Sequence, residues 1–461
     1  MSNTICAIAT AAGEGALSVV RISGEEAVAV AERVFALFGG KKVAEMAGYS
    51  CAYGRVMDGD ERIDDAVLTI FRAPHSYTGE DSAEISCHGG TYVTERIFRL
   101  CCANGARPAE RGEFTKLALI NGKLSLTQAE AVADMIAAQG ELTMKAAGLA
   151  RQGRLAQRID GMKHRLTVLL GKIAAWVDYP DEETPEVTEE LLMSELSEVI
   201  GEARELSESY DTGILLKKGI PAAIIGKPNV GKSTLMNLLL GYDRAIVTSK
   251  AGTTRDIIEE SVRVGDVVLR LADTAGMRKT EDEVEQIGVE LAKKRLSESA
   301  LLIAVFDGSA RPDDDDRRLT QEIRGSAAAG GVKVLALINK SDISDAGYVS
   351  EYEQMLDGLT TIGISAKVGD GQRELEQTIE KMYLGGGSED GVLFVNERQK
   401  YCLDRALSFL EDAQGGVALG VTFDAIGVEI SDAAEALAEL TGERITDSVV
   451  DEVFSKFCVG K

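Results

Sequence analysis

The sequence lacks the surplus of basic residues that marks a general nucleic-acid-binding surface. Its 50 lysines and arginines are outnumbered by 75 aspartates and glutamates, which gives a formal net charge of −25. Neutralising a phosphate backbone needs clustered cations, so this balance argues against a generic basic patch. We therefore expect any contact with RNA to be local or shared with a partner.

Paired cysteine motifs and long apolar runs are missing as well. The seven cysteines are scattered without C-x-x-C spacing, which argues against a disulfide framework and a zinc site and fits a reducing cytosol. There is no run of about 18 apolar residues. The first residues, MSNTICAIATAAGEG, lack the basic flank and apolar core of a signal peptide. We expect a soluble, cytoplasmic protein with no membrane contact.

The length of 461 residues predicts about three domains at ~150 residues each. Residues 1–120 contain short apolar runs such as LSVVRISG and DDAVLTIF between turn signals, a pattern that predicts a mixed α/β domain. We expect residues 219–383, which contain the motifs described below, to form a further domain, followed by the glycine-rich segment GGGSEDG. We expect this domain to be inserted into one helical domain made of 121–218 and 384–461.

The helical domain is predicted from apolar stripes that recur every three or four residues. The first stripe indicates one long helix that ends before Pro180 and Pro185. A second stripe runs from Leu192 to Tyr210, and these two stripes favour an antiparallel bundle. After residue 391 the helical pattern resumes with a third stripe of Ile430, Ala433, Leu437 and Leu440. The first stripe consists of Leu155, Ile159, Met162, Leu166, Leu169, Ile173 and Trp176.

The segment IPAAIIGKPNVGKSTLMNLLLG predicts a buried strand, a glycine-rich turn and a helix. Gly226, Gly231, Lys232 and Ser233 complete the phosphate-loop pattern G-x-x-x-x-G-K-S. Glycines let backbone N–H groups face phosphates, the lysine reaches the terminal phosphates, and the serine hydroxyl ligates magnesium at a helix N-terminus. A plain strand-to-helix turn is the alternative interpretation.

Three further motifs follow predicted strands in the order expected of a GTPase. Asp273 and Gly276 form D-x-x-G, which supports magnesium and senses the terminal phosphate. Asn339-Lys340-Ser341-Asp342 follows, and the Asp342 carboxylate accepts hydrogen bonds from the ring N–H and amine of guanine, which selects GTP over ATP. Ser365-Ala366-Lys367 adds a third base-side contact. Their order at strand ends makes accidental matches negligible.

Two features separate this nucleotide domain from a Ras-like switch. Met277 follows the D-x-x-G motif and cannot orient the attacking water as a glutamine would. Another group must do so, and Glu281, Asp282, Glu283 and Glu285 are candidates, although most of them fit a solvated helix face. In the loop TSKAGTTRD one threonine is expected to ligate magnesium and order the loop.

These motifs, together with SYTGEDSAEISCHGG, GEFTKLALINGK and the terminal FCVGK, resemble the MnmE (TrmE) family of tRNA modification GTPases over essentially the whole chain. The resemblance implies a potassium-dependent GTPase that dimerises. Asn229, Thr248, Lys250 and Thr253 match its potassium site, Ser233 and Thr254 its magnesium ligands, and Glu285 its catalytic glutamate. The remaining nucleotide-site matches are Val230, Gly231, Lys232, Thr234, Ser249, Ala251, Gly252, Asp273, Thr274, Ala275, Gly276, Asn339, Lys340, Ser341, Asp342, Ser365, Ala366 and Lys367.

The resemblance also implies a formyl-tetrahydrofolate site, 5-formyltetrahydrofolate or a related folate, in an N-terminal domain that builds the homodimer interface. Arg21, Glu84 and Lys123 match its contacts, and the terminal Lys461 reaches in. Arg21 alone would read as an ordinary surface arginine. Cys458 matches the family's C-terminal cysteine, and a catalytic role and a small buried residue beside Phe457 both remain open.

The function implied is addition of a carboxymethylaminomethyl or aminomethyl group to carbon 5 of the wobble uridine of certain tRNAs. The family works with a flavin-using partner, MnmG, in a hetero-oligomer, and a basic surface on that partner fits the acidic composition of this chain. The alternative is a regulatory or ribosome-assembly GTPase that acts as an RNA-binding switch. A basic RNA-binding appendage would favour that alternative, and the sequence has none.

Overall fold

The structure, a computed structural model, describes residues 3–138, 140–178, 187–241, 260–271, 299–328, 332–384, 395–443, 447–455, 457 and 459–460. The chain divides into two compact units. One consists of Met1–Ala133, Ala150–Glu186 and Phe423–Lys461, and the other of Asp134–Leu149 and Val187–Thr422.

A seven-stranded sheet dominates the first unit, in the order β3-β4-β5-β6-β2-β1-β7. All its pairings are antiparallel except β1 with β7. Apolar side chains from these strands and two helices form its core. The predicted strands in LSVVRISG and DDAVLTIF are confirmed as β2 and β5. The elements are β1 Ile5–Ile8, β2 Leu17–Ser23, α1 Ala27–Val34, β3 Phe35–Leu37, β4 Ser50–Asp58, β5 Glu61–Phe71, β6 Ser82–His88, α2 Thr91–Ala103, β7 Arg107–Pro108 and α3 Glu113–Ile120.

Four helices follow: α4 Leu126–Ala137, α5 Glu141–Arg151, α6 Arg154–Asp178 and α7 Glu189–Lys218. The first apolar stripe lies on α6, where all of its members except Trp176 are buried. Trp176 is half-buried, so only part of its side chain packs in the core. The second stripe lies on α7 and is buried from Leu192 to Leu206, while Tyr210 is half-buried.

The second unit contains a six-stranded sheet in the order β13-β12-β11-β8-β10-β9. Its pairings are parallel except β9 with β10. Helices cover both faces, so the central strands read as continuous apolar runs. The elements are β8 Ile220–Ile225, α8 Lys232–Leu240, β9 Glu260–Val264, β10 Val267–Leu271, β11 Leu301–Asp307, α9 Asp314–Ala328, β12 Lys333–Asn339, α10 Ala346–Met355, β13 Thr360–Gly363 and α11 Gln372–Leu384.

The chain ends in α12 Glu397–Ala418, α13 Phe423–Thr441 and α14 Asp447–Ser455. Within the first unit α13 packs on α6, and within the second unit α12 packs on α7. The third stripe is buried on α13. The predicted fold class, α/β together with α, is confirmed: a mixed α/β N-terminal region, long helices and a Ras-like P-loop sheet. The exact domain boundaries stay a prediction. None of the described helices is long and apolar enough to cross a membrane.

Candidate functional site

The phosphate loop runs from the end of β8 to the start of α8, and its two glycines occupy places that no other residue fits. Gly226 has φ +151°, and a Cβ there would lie 2.4 Å from the carbonyl oxygen of Val305. Gly231 has φ +101°, and its Cβ would lie 2.2 Å from Nδ2 of Asn339. Side chains at these positions would be strained and would fill the cradle, which fits a loop whose backbone approaches phosphates.

Lys232 opens α8 and points its charge back into this loop. Its Nζ donates to the carbonyl oxygens of Gly226 at 2.8 Å and Lys227 at 2.5 Å. Burial lowers the pKa of Lys232, because a desolvated ammonium is disfavoured without a counter-ion. A polyphosphate would supply that counter-charge. Ser233 and Thr234 are exposed in the first turn, where a hydroxyl can ligate magnesium beside a helix N-terminus.

Asn339, at the end of β12, connects the phosphate loop to the base-side loop. The side chain is almost fully buried. Its Nδ2 donates to the carbonyl of Val230 at 2.8 Å, and its Oδ1 accepts from the backbone N–H of Ala366 at 2.9 Å. Two segments predicted to bind opposite ends of a nucleotide are therefore fixed to one side chain.

The base-side residues lie together after β12 and β13. Asp342 is exposed, and its Oδ1 accepts from the hydroxyl of Ser365 at 2.7 Å, which orients the carboxylate. Lys340 has φ +68° and contacts Asp307 Oδ2 at 2.5 Å. Burial alone would raise the pKa of Asp307, but hydrogen bonds from Lys340 and Ser309 lower that pKa below its ordinary value. The exposed acceptor at Asp342 suits guanine, which presents two donors on one edge.

A second cluster surrounds Arg21 in the first unit. Strand register places Arg21 on β2 opposite Glu84 on β6, and Nε of Arg21 lies 2.8 Å from Oε1 of Glu84. The guanidinium lies 5.9 Å from the ring centroid of Tyr77 and 5.6 Å from that of Phe114. The C-terminal tail joins the same cluster, because Nη1 of Arg21 donates to the carbonyl of Gly460 at 3.5 Å.

The C-terminal tail is fixed against the N-terminal domain by its backbone. Val459 forms an antiparallel bridge with Arg111. Gly460 has φ +96°, and a Cβ there would lie 2.6 Å from the carbonyl of Ile8. The structure thus brings the tail to Arg21 and Glu84, two of the residues predicted from the folate resemblance.

Lys123 joins this neighbourhood through the loop before β6. Its Nζ donates to the carbonyl of Pro74 at 3.0 Å. Tyr77 lies in the same loop, and its hydroxyl is 2.9 Å from Oγ1 of Thr115. Sequence reasoning missed Tyr77 and Phe114. The quoted segments SYTGEDSAEISCHGG and GEFTKLALINGK contain both, but only the folded chain shows that they flank Arg21.

The other predicted site residues are placed as follows. Asn229, at φ +65°, and Lys367 are exposed, and Ser341 is half-buried. Several predicted residues lie outside the described part of the chain, and they stay predictions: Thr248, Ser249, Lys250, Ala251, Gly252, Thr253, Thr254, Asp273, Thr274, Ala275, Gly276, Met277, Glu281, Asp282, Glu283, Glu285, Cys458 and Lys461.

Two family models match the chain and together span almost all of it. The model described as the GTP-binding protein TrmE N-terminus matches residues 4–123. The model described as the MnmE helical domain matches residues 126–458. The second match alone covers more than half of the chain.

Curated proteins named tRNA modification GTPase MnmE are similar over the full length. The relative from Acetivibrio thermocellus is 39% identical over 463 residues, covering 100% of this chain and 99% of that protein. The relative from Desulforamulus reducens is 38% identical over 466 residues, covering 100% of both. Among solved structures, the G domain of the T. maritima FeoB iron transporter is 24% identical to the part of this chain that it matches. The match covers 36% of this chain and 98% of that chain, with a TM-score of 0.26.

Proposed function

Because the chain belongs to the MnmE (TrmE) family of tRNA modification GTPases, we propose that its GTP hydrolysis serves the modification of carbon 5 of the wobble uridine in certain tRNAs. The group added is a carboxymethylaminomethyl or aminomethyl group. The observation that carries the GTPase part is the coupling of the phosphate loop to the base-side loop through Asn339. Hydrolysis of GTP to GDP and phosphate follows from family membership.

Residues of the phosphate loop bind and orient the substrate. Lys232, which is desolvated in the loop, faces the terminal phosphates, and the loop backbone between Gly226 and Gly231 donates N–H groups to them. Magnesium, held by Ser233 and by Thr254 in our proposal, would neutralise charge on the phosphate oxygens. Asp342 and Ser365 select guanine. Exposure of Ser233 and the glycine-lined cradle fit this assignment.

We propose potassium as a second cation beside the phosphates, with Asn229, Thr248, Lys250 and Thr253 as its ligands. Asn229 is exposed in the phosphate loop at φ +65°, so its amide oxygen is accessible for a cation. A monovalent cation there would stabilise developing charge as an arginine finger does. Glu285 would orient the attacking water through a second water molecule.

We further propose that Arg21, Glu84, Lys123 and Lys461 bind a folate in the N-terminal domain. The support is chemical. A folate carries an anionic glutamate tail and a polar pterin, so cations suit the first and a carboxylate acceptor suits the pterin N–H groups. Tyr77 and Phe114 supply ring faces beside Arg21. The tail reaching Arg21 through Gly460 supports including Lys461.

The proposed assembly is a homodimer that acts with the FAD-dependent protein MnmG on tRNA in the cytoplasm. The net charge of −25 supports a partner that supplies basic RNA-binding surface. The proposed domain boundaries are 1–120 for the folate-binding and dimerisation domain, 219–383 for the GTPase domain, and 121–218 with 384–461 for the helical domain.

The test compares wobble nucleosides by mass spectrometry in tRNA from cells with the gene, without it, and with a Lys232→Ala variant. The proposal expects the modified uridine to disappear without the gene and to fall strongly with the variant, because hydrolysis needs Lys232. Normal modified uridine in the absence of the gene would contradict the proposal and favour a regulatory or ribosome-assembly GTPase.

A further inference from the structure

Lys227, the second residue of the phosphate loop, is tied to a helix start outside the loop. Its Nζ lies 2.6 Å from Oδ2 of Asp313 and 2.7 Å from Oδ2 of Asp316. Asp313 precedes α9 and Asp316 lies in its first turn. The Lys227 side chain therefore points away from the cradle and toward these carboxylates, and its charge is already neutralised.

The Asp316 carboxylate is fixed by several donors in a buried place. Its side chain is 1% exposed. Besides Lys227, its Oδ2 accepts from the Tyr352 hydroxyl at 3.0 Å and from the Asp313 backbone N–H at 3.1 Å. Tyr352 is itself fully buried and packs on Phe306, with ring centroids 5.6 Å apart. The Asp316 carboxylate that pairs with Lys227 is thus part of a rigid core.

Lys227 also contacts Lys232, the lysine that is expected to bind phosphate. The backbone carbonyl of Lys227 accepts from Lys232 Nζ at 2.5 Å. Lys227 therefore links the buried carboxylate, through its side chain, to Lys232, through its carbonyl. If the side chain were released, the start of the loop and the direction of that carbonyl would lose a constraint.

A gain in folding stability does not by itself account for the buried pair of Lys227 and Asp316. A buried ion pair is often no more stabilising than apolar residues of similar size. Asp316 Oδ1 is buried and has no hydrogen-bond partner among the described residues, which is unfavourable. A fixed geometry for the loop is what the arrangement does supply.

We propose that Lys227, Asp313, Asp316 and Tyr352 form an anchor that positions the phosphate loop and Lys232 for GTP and GDP. These are positioning residues, since the side chain of Lys227 is directed away from the phosphates. The inference rests on the GTPase activity of the family and is independent of the proposed potassium, folate and tRNA roles. Its chemistry requires a cation at 227 and a carboxylate at 316.

The test measures nucleotide affinity of the full-length protein with fluorescent GDP and GTP analogues, and kcat and KM for GTP. Lys227→Met is expected to weaken both affinities about tenfold and to raise KM in parallel, with kcat within about threefold, because the loop loses ground-state preorganisation. Lys227→Arg should recover to within about threefold of the parent, because a guanidinium can bond both carboxylates.

The matched control is Arg311→Met. Arg311 also precedes α9 and pairs with Glu351 on α10 at 3.1 Å, and no hydrogen bond or ion pair between it and the phosphate loop is found among the described residues. The affinity of the Arg311→Met variant for GDP and GTP should stay within about twofold of that of the parent protein. Thermal unfolding of each variant reports whether the fold is intact.

Affinities of Lys227→Met within about threefold of the parent would overturn the anchor, and so would a Lys227→Arg variant as weak as Lys227→Met. If Lys227→Met fails to fold, Asp316→Asn replaces it, because the amide keeps the size of the side chain and can still accept from Tyr352 and the Asp313 N–H, yet it removes the negative charge that pairs with Lys227. Nucleotide affinity of that variant within about threefold of the parent would overturn the anchor. Normal modified uridine in cells that carry only the Lys232→Ala variant would instead count against the proposed function and would leave the anchor untouched.

Discussion

Replacing Asn339 with alanine should uncouple the two halves of the nucleotide site. The Asn339 side chain donates to the carbonyl of Val230 in the phosphate loop and accepts from the N–H of Ala366 in the base-side loop. All three residues are less than 5% exposed. Water therefore has little access to replace the lost bonds without a local rearrangement.

The size of the effect follows from these two bonds. A buried polar group that loses its partner costs about 1–3 kcal/mol, so the two orphaned backbone groups together cost about 2–6 kcal/mol before relaxation. In the free protein the two loops can rearrange to hydrate these groups, whereas a bound nucleotide holds both loops in place. About 2–4 kcal/mol of the cost should therefore fall on the complex, which corresponds to nucleotide affinity weaker by about 30-fold to 1000-fold. Most of this loss should appear in a faster dissociation rate.

The assay is fluorescent GDP binding at equilibrium and its dissociation rate by stopped flow. Asn237→Ala is the matched control, because Asn237 is exposed on α8 and the substitution removes the same side chain from the same domain. Asn339→Ala should also unfold at a lower temperature without nucleotide. A variant that binds GDP within about threefold of the parent would refute the coupling role of Asn339.

Four further predictions test other parts of the chain. GTP hydrolysis should be many-fold faster in potassium than in sodium, and Asn229→Ala should lose that difference; equal rates for the parent protein in both salts would exclude the potassium site. Glu285→Ala should hydrolyse GTP poorly and keep GTP affinity, because the carboxylate is proposed to act only on the attacking water; near-normal turnover would move the role to another acidic residue of that segment. Deleting residues 458–461 should weaken folate binding, measured by calorimetry, and abolish tRNA modification. Potassium-stimulated GTP hydrolysis should stay nearly intact. Persistent modified uridine in the truncated protein would mean that the tail only caps the last helix. The hydrogen bond from Lys227 lowers the pKa of Asp313 to about 2. The ion pair therefore stabilises the fold above the ordinary carboxyl pKa of about 4, and this contribution is lost as pH falls toward 2. The difference in urea midpoint between the parent and Asp313→Asn should shrink between those pH values, and a difference that is constant with pH would contradict the ion pair.

The parts of the nucleotide site that depend on local chemistry could be predicted from the sequence. The motif spacing and its strand-turn-helix context predict the roles of Gly226 and Gly231, and both adopt positive φ in places where a Cβ would collide with neighbouring atoms. Asn339 ends one strand and Ser365 follows another, and both strands are predicted by their apolar runs. In a parallel sheet the strand ends share one edge, so motifs after successive strands must meet there.

Helix positions were equally predictable, because a stripe of apolar residues at a spacing of three and four defines a buried face within one segment. The choice of packing partner was not. The stripe on α6 packs on α13, and the stripe on α7 packs on α12. Many apolar stripes are interchangeable in composition, so which pair forms depends on chain connectivity and shape complementarity rather than on periodicity.

Only the tertiary structure decided the contacts that cross long stretches of chain. Arg21 meets Glu84 because of the register between β2 and β6, and it meets Gly460 across 439 positions of sequence. The pairing of Lys227 with Asp316 likewise joins residues 89 positions apart. A residue's own sequence neighbourhood fixes its backbone conformation and its exposed or buried face, whereas the partner of a charged side chain is set by register and loop closure, which the whole fold determines.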